Sequence, residues 1–140
     1  IYNDWSVRDI HRQDMRVGLV PAKGKDFAQS FGPYLVTPDD LQDRHTGRVG
    51  VYDLQMVARV NGVERSGGNW QDLHWSFGEM IARASQNVTL RPGDVIGSGT
   101  VGTGCLLELT QGQGPYLQAG DVVELEIERL GVLRQTVISG

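Results

Sequence analysis

The chain has 140 residues, of which 39% are hydrophobic, and its 13 basic and 17 acidic side chains give a formal net charge of −4. Since domains average roughly 100 to 200 residues, we predict a single domain over residues 1–140. An acidic chain without a basic run argues against a nucleic-acid partner, and no apolar stretch approaches the roughly 18 residues that would cross a membrane. The single cysteine, Cys105, excludes an internal disulfide framework and favours a cytoplasmic location.

The first predicted element is a helix from Val7 to about Met15. Ser6 precedes it and Asp9 stands three residues further on, which is the spacing of a capping box with an acidic partner. Gly18 and Pro21 are expected to end the helix, because neither residue type continues one.

The middle of the chain predicts three strands. The apolar run Tyr34–Val36 indicates a short one. From Val51 to Val60 apolar residues alternate with polar ones, which is typical of a half-buried strand. Asn61-Gly62 is the preferred pair of a type I′ turn, so residues 63–66 are expected to return as the hairpin partner before the glycines at 67 and 68 break the pattern.

The second half predicts a capped helix and two strands that follow the same kind of turn. Ser76 and Glu79 form a capping box at the start of a helix over about 76–86, whose apolar face we expect in the core. Residues 90–94 and 117–121 repeat one turn in which glycine supplies a positive φ, and each is expected to lead directly into a strand. A last strand is predicted over 132–138. Because the helices do not alternate with strands as βαβ units require, the fold class is α+β with mixed sheets.

Two polar motifs are candidates for a functional site. Asp4 lies in Asn3–Asp9, at a predicted junction between strand and helix, where a carboxylate could bind Mg²⁺ or Ca²⁺ or could equally serve the helix N-terminus. Lys25, flanked by Gly24 and Asp26, could stabilise an enolate or carboxylate, or it could simply be solvated.

Three other patterns are given structural interpretations. The segment Gly97–Gly102 fits G-x-G-x-x-G, but the glycines and proline of 111–115 leave no room for the helix that a dinucleotide site needs, so we expect a loop with close backbone approach and an available Thr100 hydroxyl. The alternating glutamates at 124, 126 and 128 are expected on the solvated face of a strand. The three histidines share no metal-ligand spacing, and Cys105 is expected to pack.

Five motifs occur together in register over nearly the whole chain. They are Asn3-Asp4-Trp5-Ser6-Val7-Arg8-Asp9, Gly24-Lys25-Asp26-Phe27, Gly32-Pro33-x-x-Val36-Thr37, Leu90-x-Pro92-Gly93-Asp94-Val95-Ile96-x-Ser98-Gly99-Thr100 and Gly120-Asp121. In this combination the chain resembles the fumarylacetoacetate hydrolase family. The resemblance implies a β-rich roll of mixed sheets with two short helices, and an enzyme that binds Mg²⁺, Mn²⁺ or Ca²⁺.

The resemblance also implies an activity and a set of site residues. Family members hydrolyse carbon–carbon bonds of acylpyruvate-like 1,3-dicarbonyl acids, or decarboxylate, hydrate or isomerise related 2-oxo acids, and we expect a homodimer acting on such a small molecule. Asp4 matches the metal-binding aspartate. Arg8 and Lys25 match catalytic, substrate-contacting residues, and Thr100 matches a threonine that binds the substrate carboxylate. His11, expected to bind substrate, stands where the family often has glutamine, and Met15 replaces a tyrosine.

Two hypotheses follow. In the family, a Glu-x-Glu pair of metal ligands and a catalytic histidine precede the Asn-Asp-Trp motif, whereas this sequence opens at Ile1. We therefore expect the chain to be the C-terminal part of a metal-dependent hydrolase or lyase, inactive alone. The alternative is a non-catalytic fold remnant or dimerisation module that has lost the metal-binding half.

Overall fold

The computed structural model describes residues 1–16, 18 and 22–139. Within them, two antiparallel sheets and a few short helices make up the regular structure. The strands are β1 (Tyr2–Asp4), β2 (Gln29–Phe31), β3 (Gln55–Val60), β4 (Val63–Asn69), β5 (Val122–Ile127) and β6 (Gly131–Thr136). The α-helices are α1 (Arg8–Arg16), α2 (Phe77–Ala84) and α3 (Leu106–Leu109), and 3₁₀ helices cover Pro38–Arg44 and Trp70–Asp72.

The larger sheet has the strand order β4-β3-β5-β6, with antiparallel neighbours throughout. Its β3–β4 hairpin turns at Asn61 and Gly62, whose φ values of 52° and 75° confirm the predicted type I′ turn. Strand β4 continues through both glycines to Asn69, so the prediction that the strand breaks there is wrong. A Cβ at Gly68 would lie 2.8 Å from Val101 Cγ1, which shows that the glycine lets a loop approach the sheet closely.

The smaller sheet pairs β1 with β2 and places Asp4 opposite Gln29 at the end of β1. The rings of Tyr2 and Phe31 stack across it with centroids 4.7 Å apart. Ser30 joins this sheet to its surroundings, because its Oγ accepts hydrogen bonds from Trp5 Nε1 at 2.8 Å and from Gln135 Nε2 at 2.6 Å. The position of Asp4 is therefore tied to the last strand of the larger sheet.

The core gathers around Leu41, Tyr52 and Leu54, and the rings of Tyr52, Trp70 and Phe77 continue it through edge-to-face contacts. The accessible surface is 9634 Å², whereas a compact monomer of 15.4 kDa would expose about 7,200 Å². The chain thus exposes more surface to solvent than a compact monomer of its mass.

The two predicted helices form, with differences at their ends and faces. Helix α1 begins at Arg8, and the Ser6 hydroxyl donates to the carbonyl oxygen of Asp4 rather than capping the helix. Gly18 has a φ of 70°, as expected of a residue that ends a helix, while Pro21 lies outside the described residues. The Ser76 capping box of α2 is confirmed. The apolar face of α2 is less buried than predicted: Phe77 contacts Trp70 at the edge of the core, but no residue of the helix is buried and Ile81 is 48% exposed.

Two strand predictions are wrong. Residues 34–36 form no strand, and the Leu35 side chain is 98% exposed. The short strand instead lies at Gln29–Phe31, where β1 supplies backbone partners. The segment after Asp94 is likewise not assigned as a strand.

The repeated turn itself is confirmed by matching hydrogen bonds. Asp94 Oδ2 accepts from the amide of Arg91, and Asp121 Oδ2 accepts from the amide of Gln118, each at 2.8 Å. The intervening Gly93 and Gly120 have φ values of 100° and 96°. Each aspartate thus closes its own turn by bonding the amide three residues back.

Candidate active site

Asp4 and Lys25 form an ion pair at the junction between β1 and α1. Lys25 Nζ lies 2.6 Å from Asp4 Oδ2 and 3.4 Å from the Asp4 carbonyl oxygen. The Asp4 side chain is 40% exposed and that of Lys25 25% exposed, so both remain accessible to a small ligand. Exposed ion pairs contribute at most about 1 kcal/mol to stability. The ion pair therefore contributes little to the stability of the fold, and its interest lies in the two charged groups that it places at the junction.

The loop over residues 22–27 holds Lys25 in place. The Gly24 carbonyl accepts from the amide of Val7, and the Gly24 amide donates to Asp14 Oδ2, each at 2.9 Å. Gly24 is buried, and a Cβ there would lie 3.0 Å from the backbone of His11. Only glycine fits this contact without displacing α1. The glycine beside Lys25 therefore sets how closely the lysine loop docks on the helix.

Arg8 and His11 are partners on α1, one turn apart. Arg8 Nη1 lies 3.2 Å from His11 Nδ1, and the pair is partly buried. The substrate contacts that the resemblance implies for Arg8 and His11 stay predictions, and Met15 is largely exposed toward the end of the same helix.

Tyr2 is a site neighbour that sequence reasoning missed. The pKa of its phenol is raised above the ordinary value, first by desolvation and then by the negative charge and hydrogen bonding of Asp4. A Cβ at Gly97 would lie 3.0 Å from Tyr2 Cε1. The expected close backbone approach in the 97–102 loop is therefore made at Gly97, against the strand that bears Asp4.

Thr100 lies further along that loop, and its residue is exposed. Its methyl group lies close to Gly104, since a Cβ at that glycine would be 3.0 Å from Thr100 Cγ2. No hydrogen bond joins Thr100 to Asp4, Arg8 or Lys25, all of which are described. The loop is thus next to β1, and the substrate contact expected of Thr100 stays a prediction.

A pocket of about 440 Å³ opens beside Asp4 and Arg8. Its apolar wall comes mainly from α3 and β5, with Leu106, Leu109, Val123 and Leu125 among the lining residues. Cys105 is half-buried in this wall, in keeping with the expectation that it packs. Lys25, His11 and Thr100 do not line the pocket, so the predicted site residues extend beyond it.

The described residues supply one side chain to a divalent cation rather than a whole coordination sphere. Asp4 offers accessible carboxylate oxygens, the donors that Mg²⁺, Mn²⁺ and Ca²⁺ prefer. Across the described ranges, no group of three or more His, Cys, Asp or Glu side chains is close enough to hold a metal ion. The residues present therefore do not fit a complete metal centre by themselves.

The row of glutamates on β5 and directly after it is accounted for by ion pairs, as expected of a structural feature. Glu124, Glu126 and Glu128 each pair with an arginine from a neighbouring element; the partners are Arg134, Arg59 and Arg44. Two of these pairs link β5 to its neighbouring strands and the third links Glu128 to the 3₁₀ helix Pro38–Arg44, so the carboxylates do not converge on a metal.

The chain matches known proteins along nearly its whole length. Residues 1–138 match the family model described as fumarylacetoacetate (FAA) hydrolase C-terminal. The chain is 40% identical over 118 residues to 2,4-didehydro-3-deoxy-L-rhamnonate hydrolase of Sphingomonas sp. (strain SKA58), covering 82% of this chain and 37% of that protein. It is 36% identical over 141 residues to the human mitochondrial oxaloacetate tautomerase FAHD2A, covering 99% and 41%.

The fold agrees with solved structures. A fumarylacetoacetate hydrolase from psychrophilic Exiguobacterium antarcticum superposes with a TM-score of 0.81 at 28% identity, over 99% of this chain and 46% of that one. The chain therefore belongs to the fumarylacetoacetate hydrolase family and has its β-rich fold, as the sequence motifs predict. It spans less than half the length of these relatives. No helix in the described part of the chain is long and apolar enough to cross a membrane.

Proposed function

We propose that this chain supplies part of the active site of a divalent-metal-dependent hydrolase or lyase acting on 2-oxo or 1,3-dicarbonyl acids. The observation that carries the proposal is the contact of 2.6 Å between Lys25 Nζ and Asp4 Oδ2. It places an anion and a cation, both accessible, at one junction that also begins the helix of Arg8. Family relatives include a maleylpyruvate hydrolase and an oxaloacetate tautomerase, and both names describe reactions of such acids.

Each side chain is suited to a different part of an acidic dicarbonyl substrate. The Arg8 guanidinium offers paired N–H donors to a carboxylate or keto oxygen. Lys25 Nζ donates to the oxygen on which negative charge grows as an enolate forms, so it acts on the transition state more than on the bound substrate. In this proposal, His11 and the Thr100 hydroxyl contribute further hydrogen bonds to the substrate.

Asp4 would hold Mg²⁺, Mn²⁺ or Ca²⁺ together with ligands from outside the described residues. A divalent ion held there would supply Lewis-acid polarisation of the keto oxygens. Asp4 contributes negative charge to that site, and its pairing with Lys25 keeps the ammonium close to where the substrate oxygens would lie.

Hydrolysis of the carbon–carbon bond requires Lys25 to stabilise a negative charge. Water adds to one carbonyl carbon, the bond to the neighbouring carbon breaks, and its electron pair becomes the enolate of the departing keto acid. Lys25 stabilises that enolate until it takes up a proton on carbon. Tautomerisation of a 2-oxo acid, loss of CO₂ from the carbon next to its keto group and addition of water to a conjugated double bond require the same stabilisation, because each passes through an enolate-like anion.

The proposal also covers the partner, oligomeric state and location of the enzyme. The partner is a small acid, and the 9634 Å² of accessible surface supports a homodimer that covers part of the open apolar area. The lone thiol of Cys105 suits the reducing cytoplasm.

A non-catalytic fold remnant or dimerisation module is the second candidate, and the single candidate metal carboxylate in the described residues favours it. Turnover decides between the two. The 140-residue chain and a version extended upstream to the length of its relatives are assayed with Mg²⁺ or Mn²⁺ on acylpyruvate and oxaloacetate. We expect turnover by the longer protein, lost with EDTA, and none by the shorter. Two silent proteins would favour the non-catalytic module, and comparable turnover by both would place the whole active site in these 140 residues.

A further inference from the structure

The side chain of Asn61 joins the β3–β4 hairpin to the turn that precedes β5. Asn61 Nδ2 donates to Asp121 Oδ1, and Asn61 Oδ1 accepts from the Val122 amide, each at 2.8 Å. The backbone amide of Asn61 donates to the Val122 carbonyl, also at 2.8 Å. Both ends of the carboxamide are therefore engaged, and they extend the pairing of β3 with β5 past its last pair, Val60 and Val123.

Asp121 connects this contact to the rest of its turn and to the end of the chain. Its Oδ2 accepts from the Gln118 amide and its carbonyl oxygen from the Val137 amide, each at 2.8 Å. The hydrogen bond from Asn61 is the largest cause of the lowered pKa of Asp121, which keeps the carboxylate ionised at neutral pH. The Asn61 amide thus donates to a charged acceptor, and such hydrogen bonds are stronger than neutral ones.

The residue after Asn61 makes that amide chemically reactive. Asn61 alone among the asparagines of the sequence is followed by glycine. Gly62 has no Cβ to hinder its backbone nitrogen, which can attack the side-chain carbonyl carbon of Asn61. The bond from that carbon to the amide nitrogen breaks, and ammonia leaves with the proton of the Gly62 nitrogen, which yields a succinimide ring. Water then adds to either ring carbonyl and opens the ring to aspartate or isoaspartate.

We propose that Asn61 is a modification site whose deamidation is held back by its contacts with Asp121 and Val122 and proceeds when the two turns separate. Ring closure requires the carboxamide to turn toward the Gly62 nitrogen, whereas both of its polar atoms are bonded to residues 121 and 122. The site goes beyond the proposed function, since none of residues 61, 62, 121 and 122 lines the pocket beside Asp4.

Neither product of the reaction can restore the contact. In the aspartate form an oxygen replaces Nδ2 and faces Asp121 Oδ1, so that two carboxylates meet where a donor and an acceptor met before. The isoaspartate form adds a backbone atom to a two-residue turn, which disturbs the pairing of Val60 with Val63. Deamidation therefore weakens the end of the hairpin and its attachment to β5.

The rate of deamidation tests whether the fold protects Asn61. The 140-residue chain is kept in mildly alkaline buffer with and without guanidinium chloride, and mass spectrometry of its peptides follows the conversion of each asparagine. The folded chain must first break two hydrogen bonds, so we expect Asn61 to react roughly tenfold or more slowly there than in the denatured chain. Asn87, which precedes valine, is the internal control and should react more slowly than Asn61 in the denatured chain. Equal rates at Asn61 in the two states, or a denatured chain in which Asn61 reacts no faster than Asn87, would overturn the proposal.

Two aspartate variants separate the contact with Asn61 from closure of the turn. Asp121→Ala removes the acceptor of Asn61 Nδ2, whereas Asp94→Ala removes the aspartate that closes the equivalent turn at residues 90–94. In the folded variants we expect deamidation at Asn61 to be faster than in the parent by roughly threefold or more in Asp121→Ala and unchanged in Asp94→Ala. Circular dichroism confirms that both are folded. Equal rates in the two folded variants would show that Asp121 gives no protection and would overturn the proposal.

Asn61→Asp reproduces one product directly and provides a test even if Asp121→Ala does not fold. We expect its melting temperature at neutral pH to lie roughly 3 °C or more below that of the parent, because like charges then meet at residue 121. Asn87→Asp is the matched control, since Asn87 also has a positive φ and the charge change is the same, and it should melt closer to the parent. A melting temperature of Asn61→Asp equal to that of the parent would contradict the proposal.

Discussion

Tyr2 and Gly97 are in close contact: a Cβ at residue 97 would lie 3.0 Å from Tyr2 Cε1, so a side chain there requires the ring to shift. Tyr2 opens the strand that ends at Asp4, and residue 97 begins the loop that reaches Thr100. The contact thus couples two segments that lie far apart in the sequence and both carry predicted site residues.

Gly97→Ala should disturb this coupling. Overpacking typically costs about 1 to 3 kcal/mol, so we expect a lower unfolding midpoint in urea and reduced activity of the longer protein. Gly102→Ala is the matched control, because a Cβ at that glycine of the same segment meets nothing within 4 Å. Equal stability of the two variants would show that the Tyr2 contact yields without cost.

Acid should weaken the second aspartate turn. The pKa of Asp121 is lowered by the hydrogen bond from the Asn61 side chain and then by that from the Gln118 amide. A carboxyl group whose pKa is lower in the folded than in the unfolded protein stabilises the fold when the pH is above its unfolded pKa, which is about 4. That contribution is lost as the pH falls below this value. We expect Asp121→Asn to lower the melting temperature at neutral pH and to make little difference at about pH 2. A gap between variant and parent that stays constant with pH would contradict this.

Local signals explain which elements could be predicted from sequence. The Asn61-Gly62 turn, the Ser76 capping box and the aspartate turns each depend on residues within a few positions of one another, and all three form. The proposed strand at residues 34–36 fails because strand formation requires a partner, and β1 pairs with residues 29–31 instead.

The candidate site also combines features that nearby residues predict with features that depend on tertiary contacts. The motif around Asp4 and the lysine loop indicate the two charged groups, but their contact at 2.6 Å is a tertiary fact. Tyr2 carries no signal of its own, because its role comes from Gly97 and Asp4 packing against it in space. The metal centre stays a prediction, because it needs more carboxylates than the described residues bring together.

Asp4→Asn should weaken metal binding in the longer protein. The substitution replaces an ionised oxygen donor with a neutral amide, so calorimetry should show lower Mg²⁺ or Mn²⁺ affinity, by roughly tenfold or more. Asp9→Asn removes an exposed acid from the first turn of α1 and controls for the change in net charge. Unchanged affinity in Asp4→Asn would show that Asp4 is no ligand and that its role ends with Lys25.

The kcat of Lys25→Met in the longer protein tests the account of the site most directly. If the ammonium stabilises charge that develops in the transition state, its loss should lower kcat by roughly a hundredfold or more, on the scale of a lost oxyanion donor. Lys23→Met, in the same loop but paired with Asp26, should leave kcat near the parent value. A Lys25→Met enzyme with normal kcat and only a raised KM would contradict the account, because Lys25 would then bind the substrate without acting on the chemical step.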